Sequence, residues 1–337
     1  MTFKVRKNLS RQTTFAYRHP PVSGNIINGL GEATPRRASH VFHNDGDDIL
    51  PWDRLDKMFA YVNHWKVVLW IMKNIWNLRK ASGPTAFTRQ PVPDPAVLRQ
   101  QIFERARALG ADLVGVTPVK PEYLFEGHEV PYANAISIGV AMDRARMAGV
   151  PDSTSAAEVM RAYQRIGSIV SNLSQEIRAM GWPARAYGNP NSGDLLQIPI
   201  AVDCGFGQLG KHGSLISKEL GSNFRLGCVV TDLPLDPSGQ AVDIGVDDVC
   251  SRCNICVRAC PVDAIYEQKQ IVRGVEKWYV DFDKCIYYFC ETSGCGICIE
   301  VCPWSEAGAG PGLSQRVLAA RRRRSGDPKG AVVAEEE

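Results

Sequence analysis

The chain has 337 residues, of which 45% are apolar and 22% charged, with a formal net charge of +3. The length suits about two domains, and the composition is that of an ordinary globular protein, which excludes disordered and fibrous classes. So small a positive excess gives no electrostatic footprint for nucleic acid.

Residues 1 to about 50 are rich in Arg, Pro, Gly and Asn without a clean period, and are expected to wrap the surface or to lack regular structure. The opening MTFKVRKNLSRQTT leads into no apolar signal core and carries no twin-arginine signal, so a cytoplasmic protein is expected. The most apolar stretch is 59–76, FAYVNHWKVVLWIMKNIW. Asn63, His64, Lys66, Lys73 and Asn74 interrupt it, so it is no 18-residue uncharged span. Trp65, Leu69, Met72 and Trp76 recur at helical spacing and predict a helix packed on the body. Peripheral contact with a membrane surface through 59–76 is the alternative.

Residues 81–95 read as a linker with proline near both ends. Asp94 caps a helix that starts at Pro95, buries Leu98, Ile102, Ala106 and Leu109, and stops at Gly110. Strands are predicted over 112–116 and 135–141, then a helix from about Ser155 to Met180 stopped by Gly181. Further strands are expected over 184–187, 195–202 and 224–231, with the turn GNPNSGD and the glycine-rich run GFGQLGKHG between them. Strands alternating with helices predict an α/β domain over 96–245, preceded by an extension and linker over 1–95. The GFGQLG text lacks both a preceding first strand at the chain start and a ribose-binding acid, so it is not a dinucleotide fingerprint. Its glycines Gly205, Gly207 and Gly210 allow close backbone approach to some other bulky ligand.

Eight cysteines then fall into two sets, Cys250-x2-Cys253-x2-Cys256-x3-Cys260-Pro261 and Cys285-x9-Cys295-x2-Cys298-x3-Cys302-Pro303. A cubane needs four soft thiolates on a chain that bends around it, and the cysteine before proline serves the other cluster. The spacing assigns Cys250, Cys253, Cys256 and Cys302 to one [4Fe–4S] cluster, and Cys285, Cys295, Cys298 and Cys260 to a second. These residues define an α+β two-cluster ferredoxin module over 246–305. Free thiolates at these positions fit a reducing compartment. Cys204 and Cys228 read as buried small hydrophobes. Cys290 is a rival to Cys295, which is preferred because Cys295-Gly-Ile-Cys298 makes the tight turn. Residues 306–337 form a charged tail, in which Arg321 to Arg324 are expected to be solvated and offset by Glu335 to Glu337. Trp304 is expected to shield the adjacent cluster.

About 97–305 resembles the corrinoid-dependent reductive dehalogenases. The resemblance is carried by Tyr163, by Ile177-Arg178-Ala179-Met180-Gly181-Trp182, by the Gly188-Asn189 turn and by Ile198-Pro199-Ile200-Ala201-Val202-Asp203. It continues in GFGQLGKHGSLIS, Asn223-Phe224-Arg225-Leu226, Thr231-Asp232-Leu233-Pro234-Leu235, and Gly274 to Asp281 before Cys285. The sister family of epoxyqueuosine reductases shares both modules and a text close to Leu209-Gly210-Lys211-His212. Its catalytic aspartate, however, falls on Asn191 here. Both families imply a nitroreductase-like α/β domain holding cobalamin beside two [4Fe–4S] clusters.

The resemblance implies that Tyr163 donates the proton and that Asn189 is a polar partner in the pocket. It implies a basic residue at Lys211, which orients substrate or lowers the tyrosine's pKa. Gly205, Gly207, Gly210, Lys211, His212 and Arg225 are the expected cofactor contacts. Lacking Cys or acid partners at ligand spacing, His212 is not expected to bind cobalt. The implied activity is reductive dehalogenation of an organohalide, with a low-potential donor of ferredoxin or flavodoxin type. Epoxyqueuosine reduction in tRNA, and a two-cluster electron carrier without corrinoid, are the alternatives.

Overall fold

A computed structural model describes residues 23–41, 64–188, 193–292 and 294–325. Its helices are α1 (Gly24–Ile27), α2 (Trp65–Leu78), α3 (Pro95–Ala108), α4 (Arg144–Met147), α5 (Ser153–Ala179), α6 (Gln197–Asp203), α7 (Val246–Cys250), α8 (Ile255–Ala259), α9 (Phe282–Glu291), α10 (Ile297–Glu300) and α11 (Ala309–Ser325). Its strands are β1 (Leu113–Pro118), β2 (Asn134–Ala141), β3 (Ala184–Gly188), β4 (Gln208–Leu209), β5 (Leu215–Ile216), β6 (Phe224–Thr231), β7 (Gln270–Val272) and β8 (Val275–Lys277).

The longer elements start and stop where local chemistry directs. The Asp94 carboxylate accepts the Ala96 and Val97 amides while Pro95 opens α3, a proline position that costs no hydrogen bond. Asp152 and Ser155 cap the start of α5 reciprocally, and Gly181, at φ +83°, ends it.

A four-stranded sheet of order β1-β2-β6-β3 forms the centre, with every neighbour antiparallel. The fold is mixed α/β, as the alternating elements indicated. Period two along β6 sorts its side chains to opposite faces. Val229 joins Ile102, Phe103, Ile166, Leu173 and Ile177 under α3 and α5. Leu226, Cys228 and Val230 join Tyr123, Tyr187, Leu195 and Ile200 on the other face. At Gly227 a Cβ would collide with the Ile166 side chain, so α5 lies directly against the strand.

Three expectations need correction. Residues 195–202 form no strand; α6 occupies Gln197–Asp203 instead. An apolar run this short does not separate strand from helix, and Pro199 sits in the first turn, where its missing N–H is tolerated. Trp65, Leu69, Met72 and Trp76 are not the packed side of α2: they are 51–65% exposed, whereas Val67 and Asn74 are buried. That part of 59–76 before residue 64 lies outside the described residues. Arg321 is not simply solvated, because its guanidinium pairs with Asp243 and donates to Asp248 at 2.8 Å. This pins α11 to the start of the cysteine-rich segment.

Residues 23–41 run from the cysteine-rich segment to the α/β body. The Gly24 amide donates to Asp283 at 2.7 Å, Asn25 donates to Asp281 at 2.8 Å, and the Glu126 amide donates to the Ala38 carbonyl at 2.8 Å. Among the described residues no helix is long and apolar enough to cross a membrane.

Candidate active site

Cys260 and Cys302 both have extended backbone, at φ/ψ −68°/119° and −69°/127°, and each directly follows or closes a short helix. Pro261 and Pro303 impose this, since a residue before proline is pushed out of the helical region. The step carries each cysteine away from its own turn. Cys302 faces Cys250, Cys256 and Cys253, while Cys260 faces Cys285, Cys295 and Cys298. Two sets of four neighbouring cysteines result. Burial, reinforced by neighbouring sulfurs, pushes the Cys302 and Cys285 thiols up to about 12 and the Cys256 and Cys295 thiols up to about 11. Iron must therefore displace protons to bind. Among the described residues no three His, Cys, Asp or Glu groups close on a single ion. A cubane binds each thiolate to a different iron, so its ligands stay spread apart. The donor sets fit two such clusters. Cys290 is fully buried in an apolar group with Val41 and Ile286, away from the role that Cys295 takes. Trp304 is buried with Cys250 and Cys302 and covers the first set.

The second set opens on a cavity of about 510 Å³, within the roughly 300–1,000 Å³ typical of ligand and cofactor sites. Cys260, Cys285, Cys295 and Cys298 line it together with Tyr163, His212 and Arg225. None of the four cysteines of the first set does. A smaller cavity of about 170 Å³ shares Tyr163, Ser214 and Arg225 and adds Gln197 and Ser222.

Arg225 lies on β6 with the same parity as Gly227 and Val229, so it points toward α5. Its guanidinium sits 5.7 Å from the centre of the Tyr163 ring. Its Nε is buried without a hydrogen-bond partner, as is Gln197 Oε1. A buried unpaired donor and a buried unpaired acceptor are costly. Arg225 lines both cavities and Gln197 the smaller one, so a polar ligand spanning them has a donor and an acceptor ready for it.

His212 is also in the cavity wall. Its Nδ1 accepts the Ser214 amide at 3.2 Å, which leaves Nε2 to carry the proton toward Ser222 Oγ, also at 3.2 Å. Burial holds its pKa down at about 4, so it is a neutral imidazole at physiological pH.

Other expected site residues lie elsewhere. Lys211 is not beside Tyr163. It is 1% exposed, its ammonium donates to Asn254 at 2.7 Å and lies 4.9 Å from the Trp278 ring centre, and its amide faces Cys250 Sγ at 3.4 Å. Its charge therefore serves the first thiolate set, and the cation beside Tyr163 is Arg225. Gly205, Gly207 and Gly210 do not line either cavity. A Cβ at Gly207 would collide with the Ile216 carbonyl, and one at Gly210 would press on the Ile216 side chain. The close approach that Gly207 and Gly210 permit is that of the β4–β5 hairpin to itself, while Gly205 faces the Gln240 carbonyl. Asn189 lies outside the described residues. Gln197 and Ser214 were not anticipated; the misread strand hid Gln197.

A model of the 4Fe–4S dicluster domain matches residues 249–306. The chain is 30% identical to the tetrachloroethene reductive dehalogenase of Sulfurospirillum multivorans, over 66% of this chain and 54% of that protein. It is 34% identical to the epoxyqueuosine reductase of Aliivibrio fischeri, over 40% and 36% respectively. A solved reductive dehalogenase, described as suggesting a mechanism for B12-dependent dehalogenation, superposes with a TM-score of 0.74 at 23% identity, covering 90% of this chain and 47% of that one. The chain is thus related to the reductive dehalogenases and has their fold, and over a shorter stretch it is related to epoxyqueuosine reductase. It spans about half the length of that curated dehalogenase.

Two measurements follow from this geometry. Anaerobically reconstituted Cys295→Ala is expected to lose about half of the bound iron, whereas Cys290→Ala keeps all of it; iron assay and electron paramagnetic resonance distinguish them. Lys211→Gln keeps a polar N–H donor on the side chain but removes the buried cation. It is expected to lower the first cluster's midpoint potential by on the order of 50 mV, about tenfold in a one-electron reduction constant, read by a redox titration.

Proposed function

We propose that the chain is an oxidoreductase that removes halide from an organohalide, using a corrinoid fed with electrons through its two iron–sulfur clusters. The observation that carries this reading is the shared cavity, which joins the second thiolate set to a tyrosine and an arginine. A simple electron carrier has no use for a cavity of this size with an unpaired buried guanidinium N–H in its wall. The kinship with a tetrachloroethene reductive dehalogenase supports the organohalide class.

When bound, the clusters supply single electrons and the corrinoid supplies the low-valent cobalt that breaks the carbon–halogen bond. Replacing halogen by hydrogen consumes two electrons and one proton and releases halide. This chain's residues supply the rest. Arg225 Nε and Gln197 Oε1 would hold polar groups of the corrinoid. Val67, Ile71, Ala156 and Met160 make the cavity apolar, which excludes water and suits a poorly soluble halocarbon. Tyr163 holds a phenolic proton for the substrate carbon. Once that proton leaves, the adjacent Arg225 guanidinium stabilises the phenolate. His212, being neutral, orients the Ser214 and Ser222 segment and does not compete as the acid. The second cluster's position at the cavity makes it the proximal one, with the first as the entry point for a ferredoxin- or flavodoxin-type donor. Eight unbridged cysteines suit a reducing, cytoplasmic setting.

Halide release driven by a low-potential reductant tests the reading. Tyr163→Phe is expected to cut turnover about 10²–10⁴-fold, the usual worth of a positioned acid, with corrinoid content unchanged. Unchanged turnover in that variant removes Tyr163 from the reaction. Conversion of epoxyqueuosine in an anticodon stem, without halide release, replaces the substrate class.

A further inference from the structure

Helix α2 is apolar around most of its circumference, a pattern that belongs to helices covered on all sides. One side is covered by this chain. Val67 and Asn74 are buried, Trp70 and Ile71 are partly so, and this side packs on α5. The opposite side carries Trp65, Val68, Leu69, Met72, Ile75 and Trp76, each 44–65% exposed. At 100° per residue these six fall in one continuous stripe, centred opposite Val67 and Asn74. Six large apolar side chains on one helix face are more than the scattered exposure expected of a soluble surface.

The charges beside the stripe say what covers it. Lys66 and Lys73 stand seven residues apart along one edge of the helix, and Lys80 follows just past its end; all three are exposed. Lys73 lies 4.6 Å from the Trp70 ring centre, and Arg79, at the helix end, lies 4.6 Å from that of Trp76. No acidic residue occurs anywhere from 64 to 93. Tryptophans stand near both ends of the stripe, where an amphipathic ring is stable at a lipid–water boundary. Fourteen residues of helix span only about 21 Å, so α2 lies along a bilayer and does not cross it.

We propose that the outer face of α2 docks on an anionic lipid surface, with the six apolar side chains entering the headgroup boundary and the lysine row facing lipid phosphates. The inner face of the same helix supplies Val67 and Ile71 to the cavity wall, so docking sets the cavity one helix away from the bilayer. The proposal is independent of which reaction the cavity supports.

Cosedimentation of the reconstituted full chain with vesicles tests it, using phosphatidylcholine alone and phosphatidylcholine mixed with phosphatidylglycerol. Binding to the mixed vesicles, weakened by salt and at least severalfold stronger than to phosphatidylcholine, is the expected result. Lys66→Gln, Lys73→Gln and Lys80→Gln together are expected to lower partition by about a hundredfold. Trp65→Ser with Trp76→Ser is expected to lower it too, with iron content and far-UV circular dichroism unchanged, since both side chains are exposed. Failure of the wild type to bind phosphatidylglycerol vesicles overturns the proposal. So does a wild-type dimer that Trp65→Ser with Trp76→Ser dissociates, because a second copy then covers the face.

Discussion

Helix α5 lies so close to strand β6 that position 227 has no room for a side chain, and the remaining site geometry depends on that contact. With Ile166 seated on Gly227, the strand's two-residue period turns Arg225 to the same side, where Tyr163 waits one helical turn before Ile166. Neither residue is placed by a loop. Each belongs to a rigid element locked by the largest buried cluster in the fold, which is the condition for holding reacting groups to within a fraction of an ångström. The arginine Nε left without a partner is the cost of this arrangement, and it marks where a ligand belongs.

The second constraint is the pair of prolines. Pro261 and Pro303 force the preceding cysteines out of the helical region, and each set receives one thiolate from the other set's run. The two donor sets are therefore interlocked, and neither can open without disturbing its neighbour. The arm at 23–41 and the Arg321 contacts with Asp243 and Asp248 fasten this segment to the rest from two directions. Of the two sets, only the second reaches the cavity, which under the proposed function would make the first the entry point for electrons.

Much of this was legible in the sequence, and unevenly so. The dicluster segment could be read from its cysteine spacing, because proline chemistry and ligand spacing act locally. So could α3, α5 and β6, whose caps and periodicity are also local. Residues 195–202 were misread because a short apolar run carries no period long enough to decide. The glycine-rich run suggests a ligand cradle, yet Gly207 and Gly210 accommodate the chain's own hairpin; sequence shows that the backbone must come close to something, not to what. Lys211 was assigned to Tyr163 on resemblance, while tertiary packing sends it to Trp278 and Asn254. Arg225, 62 positions from Tyr163, meets it only once sheet register and helix packing are known. That α2 packs on the body was legible, but not which face does so: both are apolar, and periodicity alone cannot tell which one the body covers.

The central claim is that the cavity beside the second thiolate set receives a corrinoid. The most direct measurement is a visible-absorbance titration of anaerobically reconstituted protein, carrying about eight irons per chain for two cubanes, with cobalamin. The account predicts saturable binding of about one corrinoid per chain, weakened when Arg225 is replaced by alanine. A protein with its full complement of iron that binds no corrinoid would contradict it.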